Sequence, residues 1–461
     1  MDSSPSLITL GRDWLSRRAL FFKVLGLAFL GLLLLIPLAM VDATRSERFG
    51  RYQEAVAEIT RTWGGAQRVV GPVLVVPFVQ RTEVEEWTVN GGERLRQVKV
   101  LERSGEAWFL PERLEVSGEV APLELRRGIY RTTVHTSTLR LAGRFARPEF
   151  AALGLPDLVP QWERARLGLA LSDLRGVQGE VELDWGGQGL VFESGSRLAG
   201  LGTGLHRALD LRDAPETLAF SVNVAVNGSD GLTFVPVGRQ TEVALRSPWP
   251  SPGFIGGFLP VERTVETDGF SARWRVSHHA RSFPQQAAGW EGASPFELEA
   301  LGSSAFGVRL LDTVTAYRAV ERAIKHGVLF ITVVFASFFL LEALGGRRLQ
   351  ALHYLLVGAA LCLFYLALLA LSEFVTFGWA YGGAALASTV LISSYARSVL
   401  GGLKPAVVIG AMLGTVYGYL FMVVRLEDFA LLAGTAGLFV LLAAVMAATR
   451  RLATPPAEAA A

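Results

Sequence analysis

Residues 326–344 read HGVLFITVVFASFFLLEAL. A helix rising about 1.5 Å per residue needs roughly 20 apolar residues to cross a hydrocarbon core about 30 Å thick. This run has that length, and residues 352–371, 374–396, 405–424 and 429–448 repeat it in series. A further run, 19–41, lies near the N-terminus. Water-soluble domains do not place such runs one after another. The expectation is an α+β multidomain membrane protein with six transmembrane helices, one N-terminal and five C-terminal.

Positive charges near helix ends set orientation, because Lys and Arg stay on the cytoplasmic side. Arg12, Arg17 and Arg18 precede the first run, and Arg347, Arg348, Arg397, Lys404, Arg450 and Arg451 fall in alternate loops. The intervening turns hold Glu373 and the acidic pair Glu427 and Asp428. Six crossings then put both termini in the cytoplasm and export everything between the first two helices. The first run is longer than the hydrophobic stretch of a signal peptide, so an uncleaved anchor is expected.

The chain divides accordingly: a cytoplasmic N-terminus (1–18), helix 19–41, a periplasmic segment (42–311), a helical stalk (312–325), a five-helix bundle (326–448) and a cytoplasmic tail (449–461). Within the exported segment, 44–63 reads as a helix, since Phe49, Tyr52, Val56, Ile59 and Trp63 recur at steps of three and four. Gly64 and Gly65 stop it. Beyond it, β-branched residues and period-two alternation dominate, and an antiparallel β-rich domain is expected. Pro72 and Pro77 assign 69–79 to a sheet edge or a bulge. Asn90–Gly91 and Asn227–Gly228 read as hairpin turns. Asp312 or Thr313 would cap the helix returning to the membrane.

Chemistry is harder to find. A net charge of +2 and no basic run with interleaved aromatics argue against nucleic acid as a partner. The single cysteine, Cys362, lies inside an apolar run and reads as packing. His278 and His279, adjacent on a strand, would point to opposite faces and not share a metal. No nucleophile, phosphate-loop or zinc motif is present, so no catalytic, cofactor-binding or metal residues are assigned. Ionisable groups deep in a bilayer mark transport paths. Here Glu342 and His353 lie near one set of helix ends, His326 and Glu373 near the other, where they would reach the interface or cap helices.

Two features stand out. Residues 247–260 (SPWPSPGFIGGFLP) form an ordered aromatic loop, with Trp249, Phe254 and Phe258 either plugging the β core or contacting a partner. Gly410, Gly414 and Gly418 form a small-xxx-small series that lets helices approach closely. The lipid bilayer is the implied environment, and envelope proteins, peptidoglycan or lipid are the candidate partners. An alternative assigns a transporter or lipid-handling role to the C-terminal bundle.

Residues 63–78 (WGGAQRVVGPVLVVPF), 236–260 and 306–342, with 127–130, 172–176 and 355–373 in support, give the chain a family likeness. It resembles the CreD family of bacterial inner-membrane proteins, described as cell envelope integrity proteins. The resemblance implies one N-terminal crossing, a large periplasmic domain and a C-terminal bundle. It further implies expression under a two-component system and a non-enzymatic role, with no functional residues to carry over.

Overall fold

In the computed structural model of the chain, residues 19–90, 93–290, 292–310, 316–345, 349–426 and 430–449 are described. The loop residue Gly91 and the expected caps Asp312 and Thr313 lie outside them. Residues 1–53 with 314–461 make one unit, and 54–313 make a second, the β domain.

The first unit is helical. Helix α1 spans Ala19–Leu33 and α2 spans Leu35–Trp63. The interruption at Leu34 follows from Pro37, which has no N–H for the Leu33 carbonyl four residues earlier. The expected helix 44–63 is thus the second half of α2. A short helix α3, Leu298–Ser303, lies in the β domain. Then come α4 (Ala316–Lys325), α5 (Gly327–Gly345), α6 (Ala351–Ser372), α7 (Phe377–Leu400), α8 (Leu403–Arg425) and α9 (Ala430–Thr449).

Among the described residues, three helices are long and apolar enough to cross a membrane: residues 21–63, α6 and α8. The bent pair α4 and α5, angled at 47°, would make a fourth. The count of six therefore stands as an expectation for two of the runs. Helix α7 is diluted by Ser388, Thr389, Ser393, Ser394 and several glycines.

Where lipid replaces water, helices associate through close packing and interhelical hydrogen bonds. An aromatic cluster supplies both. Phe330 of α5 and Phe364 of α6 lie 4.7 and 4.6 Å from the ring of Tyr417 on α8. The Tyr417 hydroxyl donates to Ser388 Oγ of α7 at 2.8 Å, and the Tyr381 hydroxyl donates to the Tyr417 carbonyl at 2.7 Å.

The β domain contains two sheets. One has the spatial order Glu262–Glu266, Gly269–Ser277, Gln240–Ser247, Arg113–Arg127, Tyr130–Ala146, Thr217–Ser229, Val177–Trp185 and Gln188–Val191. The other is organised on the long strand Gln67–Asn90, which pairs with Gly231–Phe234, Ala165–Leu171, Glu93–Phe109 and Leu158–Pro160 along its length. Alternation along the strands buries one face of each sheet in a common core around Trp108, Trp274, Phe145 and Phe306. Most pairings are antiparallel, but Gln67–Asn90 with Gly231–Phe234 and Arg113–Arg127 with Gln240–Ser247 run parallel.

The prolines of residues 69–79 fit the pleat by position. Pro72 falls where the register with Ala165–Leu171 shifts, between Val70 and Val73. At Pro77 the strand leaves that neighbour and takes up Leu158–Pro160, so its missing N–H faces no ladder partner. The bulge reading holds, whereas the strand is central and not an edge.

One turn expectation is corrected. Thr217–Ser229 continues straight through Asn227 and Gly228, which pair with Thr136 and His135. The chain turns instead at Asp230, whose φ is 63°. Gly228 is needed for a close approach: a Cβ there would lie 2.6 Å from the His135 ring.

Candidate functional site

At the C-terminal end of α2, three segments distant in sequence meet: 63–67 (WGGAQ), 172–176 (SDLRG) and 227–229 (NGS). Gly64 and Gly65 release the chain from helix to strand. Asp173 then accepts from the Gly65 N–H at 3.0 Å and from Arg175 Nη2 at 2.7 Å. The Arg175 guanidinium beside it holds the Asp173 carboxyl down at about 2. Gln67, buried, donates through Nε2 to the carbonyls of Asp173 and Asn227 at 3.0 and 2.9 Å. Trp63 donates from its indole N–H to the His135 carbonyl at 3.3 Å. Asn227 Oδ1 accepts from Thr136 and Gln178, which fixes its side chain. The arrangement is a polar clamp that ties the helix end to both sheets of the β domain.

His135 lies at the centre of the clamp, fully buried, with Nδ1 2.9 Å from Ser137 Oγ. Its Nε2 makes no well-formed hydrogen bond among the described residues, and the Gly231 backbone nearby compensates a buried proton only in part. Burial, only partly opposed by the Gly231 backbone and Asp230, pulls its pKa down from 6.5 to about 4. Because the folded value lies below the unfolded one, the unfolded chain binds the proton first as pH falls. Stability is therefore complete above about pH 6.5 and is lost toward pH 4, by up to about 3 kcal/mol. Chemical denaturation of the β domain at pH 7 and 4.5 should show a larger loss for the parent than for His135→Asn. Equal losses would contradict the assignment.

The aromatic loop is ordered by packing. Pro252–Gly256 is a strand on Phe306–Leu310. Phe254 packs edge-on to Phe270 and Trp274, Phe258 packs on Phe306, and the Trp249 indole donates to the Ser251 carbonyl at 3.0 Å. All three rings are half-buried against the core. What the sequence reading missed lies just beyond them. Leu259, Val261 and Val265 are 66, 58 and 47% exposed, on and beside the edge strand Glu262–Glu266. The signal was present as apolar residues between Pro260 and a run of charges, but exposure cannot be read from it.

His278 and His279 also require correction. The strand ends at Ser277, and His278–Ala280 forms a 3-10 turn that brings the two rings within 3.9 Å of each other.

In the helical unit, Glu342 points into the protein and not into solvent. It is buried, ion-paired with Lys23 of α1, and accepts from the Tyr354 hydroxyl of α6 at 2.8 Å. Lys23 also donates to the Leu349 carbonyl at 3.2 Å. His353 meets Tyr395 of α7 at 2.7 Å. Glu373 accepts from Tyr317 at 3.1 Å and lies 3.9 Å from Arg48 of α2. Arg45 pairs with Asp42 and Glu321 at 2.8 and 3.4 Å. The first helices are thus held by ionic contacts near both ends.

Of the glycine series, Gly410 faces Ser393, while no described residue lies within 4 Å of a Cβ placed at Gly414 or Gly418. The buried face of α8 is carried by Ile409, Leu413, Tyr417 and Leu420. Tight approaches occur instead at Gly327 and Gly358, where a Cβ would meet Leu38 and Leu34.

Comparison with known proteins bears on the whole chain. The family described as "Inner membrane protein CreD" matches residues 19–453. The inner membrane protein CreD of Escherichia coli (strain K12) is 32% identical over 439 residues, which is 94% of this chain and 93% of that protein.

Proposed function

The chain belongs to the CreD family of inner membrane proteins, and from that premise we propose that it acts without catalysis in maintaining the bacterial cell envelope. In this reading it is a multi-pass protein with both termini in the cytoplasm. The β domain stands in the periplasm, joined to membrane helices at each end of its chain, and contacts an envelope component. The contact is the surface that begins at Trp249, Phe254 and Phe258.

One observation carries the choice of surface. Half-buried aromatic rings anchor the loop rigidly, and Leu259 and Val261 then extend from it into solvent. Rigid anchors beside exposed apolar residues suit recognition, because little ordering entropy is lost on binding. Leu259 is a better reporter than Phe254, whose ring is committed to the core. A photo-crosslinking residue at Leu259 in living cells should capture a defined envelope species, and one at Arg212 on an exposed turn should not. Equal, diffuse capture from both positions would refute the contact.

A further inference from the structure

The outward face of the eight-stranded sheet holds a trough of about 560 Å³. Its floor is formed by small residues. In register across the strands stand Glu262, Arg273, Ala244, Ser117, Arg140 and Asn223. The next row reads Thr264, Ser271, Arg246, Glu119 and Thr138. Ala244 and Ser117 leave the centre low, and long arginine side chains wall it. A second trough of about 440 Å³ continues from the first, sharing Arg246, Glu119, Thr264 and Ser271.

The charges of this face are unevenly matched. Arg273 is paired with Glu262 at 3.4 Å, and Arg263 lies over the ring of Phe254. Arg140 and Arg246 are exposed and have no carboxylate within ion-pair distance among the described residues. With strands about 4.8 Å apart and residues rising about 3.4 Å, the two arginines stand roughly 12 Å apart across the floor, near the length of a disaccharide. Between them lie the hydroxyls of Ser117 and Thr138, with Glu119 beside Arg246, while Ser271 and Asn223 flank the pair on the outer sides. Guanidinium groups bind carboxylates through paired N–H donors. Ser, Thr and Asn serve sugar hydroxyls as both donors and acceptors.

We propose that this trough is a binding site for an anionic glycan, with Arg140 and Arg246 each taking a carboxylate and the hydroxyl-lined floor taking the sugar ring between. Past Arg246 the trough is lined by Glu266 and Asp268, which confines an anionic ligand to the span between the two arginines. The site rests on the reading that the β domain faces the envelope, but it is distinct from the surface at Leu259.

The test uses the purified full-length protein in nanodiscs and digalacturonate as the probe, followed by titration calorimetry. Digalacturonate should bind, and Arg140→Gln with Arg246→Gln should weaken it at least about tenfold, since each charge-assisted contact contributes a factor of that order. The neutral disaccharide lactose should bind at least about tenfold more weakly than digalacturonate. Ser117→Phe, which fills the floor and leaves the charges, should also abolish binding. The proposal is overturned if digalacturonate does not bind. It is equally overturned if either variant binds it like the parent, or if inorganic phosphate displaces it at equal concentration, which would mark a plain cationic surface. Because the assay uses isolated protein, its failure leaves the envelope role standing, and loss of that role in cells would not by itself alter the titration.

Discussion

Glu342→Ala should lower the stability of the helical unit by about 2–3 kcal/mol, the largest effect expected of any single change in that unit. The substitution strips Lys23 of its carboxylate and removes the acceptor of the Tyr354 hydroxyl, both on other helices. A fully buried pair would cost more to break. Lys23 retains 29% side-chain exposure, and its ammonium can be drawn toward water. The physical content lies in the comparison with the double variant Lys23→Met, Glu342→Met. Replacing both partners by apolar groups of similar volume leaves no orphaned charge, and it should melt within about 1 kcal/mol of the parent. Thermal unfolding in detergent separates the cases. If the double variant loses as much as Glu342→Ala, the pair contributes geometry that apolar packing cannot replace, and the account of it is wrong.

Gly176→Val is the second large effect, about 2–3 kcal/mol against the β domain. A Cβ at Gly176 would lie 2.1 Å from the Asn227 carbonyl oxygen and 2.8 Å from Gln67 Nε2. The first of these atoms is main chain of a residue paired with Thr136 and cannot move aside cheaply. The clamp must therefore open, and the Trp63 end of α2 should lose its hold on the His135 carbonyl. Gly189→Val is the matched control, since nothing lies within 4 Å of its added Cβ. Its loss should stay within about 0.5 kcal/mol. Tryptophan fluorescence and urea denaturation would report both, and similar losses at the two positions would show that Gly176 is not a point of close approach.

The broad plan was legible in the sequence because it is written in local periodicity. Apolar runs near 20 residues, the three-and-four stripe of α2 and the alternation of the strands each declare themselves within a short window. The stop at Gly64 and the bulge at Pro72 were equally local. What escaped depends on residues far apart in the chain. Asn227–Gly228 carries a turn signal, yet its glycine is spent on passing the His135 ring, a partner 93 positions earlier. Glu342 near a helix end looks like an interfacial residue until Lys23 is placed against it. The spacing of Gly410, Gly414 and Gly418 suggests a seam, and Gly410 does approach Ser393 of α7. The tight approaches at Gly327 and Gly358 are announced by no repeat. Likewise, the aromatic loop was visible as composition, while the exposure of Leu259 was not.

In the proposed function the β domain stands on the periplasmic side. In a Cys362→Ser background, a single cysteine at Thr264, on the exposed edge strand, can be treated in intact cells with an outer-membrane-permeable but inner-membrane-impermeant maleimide. Rapid labelling is expected at Thr264→Cys and none at Lys404→Cys until the inner membrane is opened. Labelling of Lys404→Cys in intact cells, with Thr264→Cys reacting only after lysis, would contradict it.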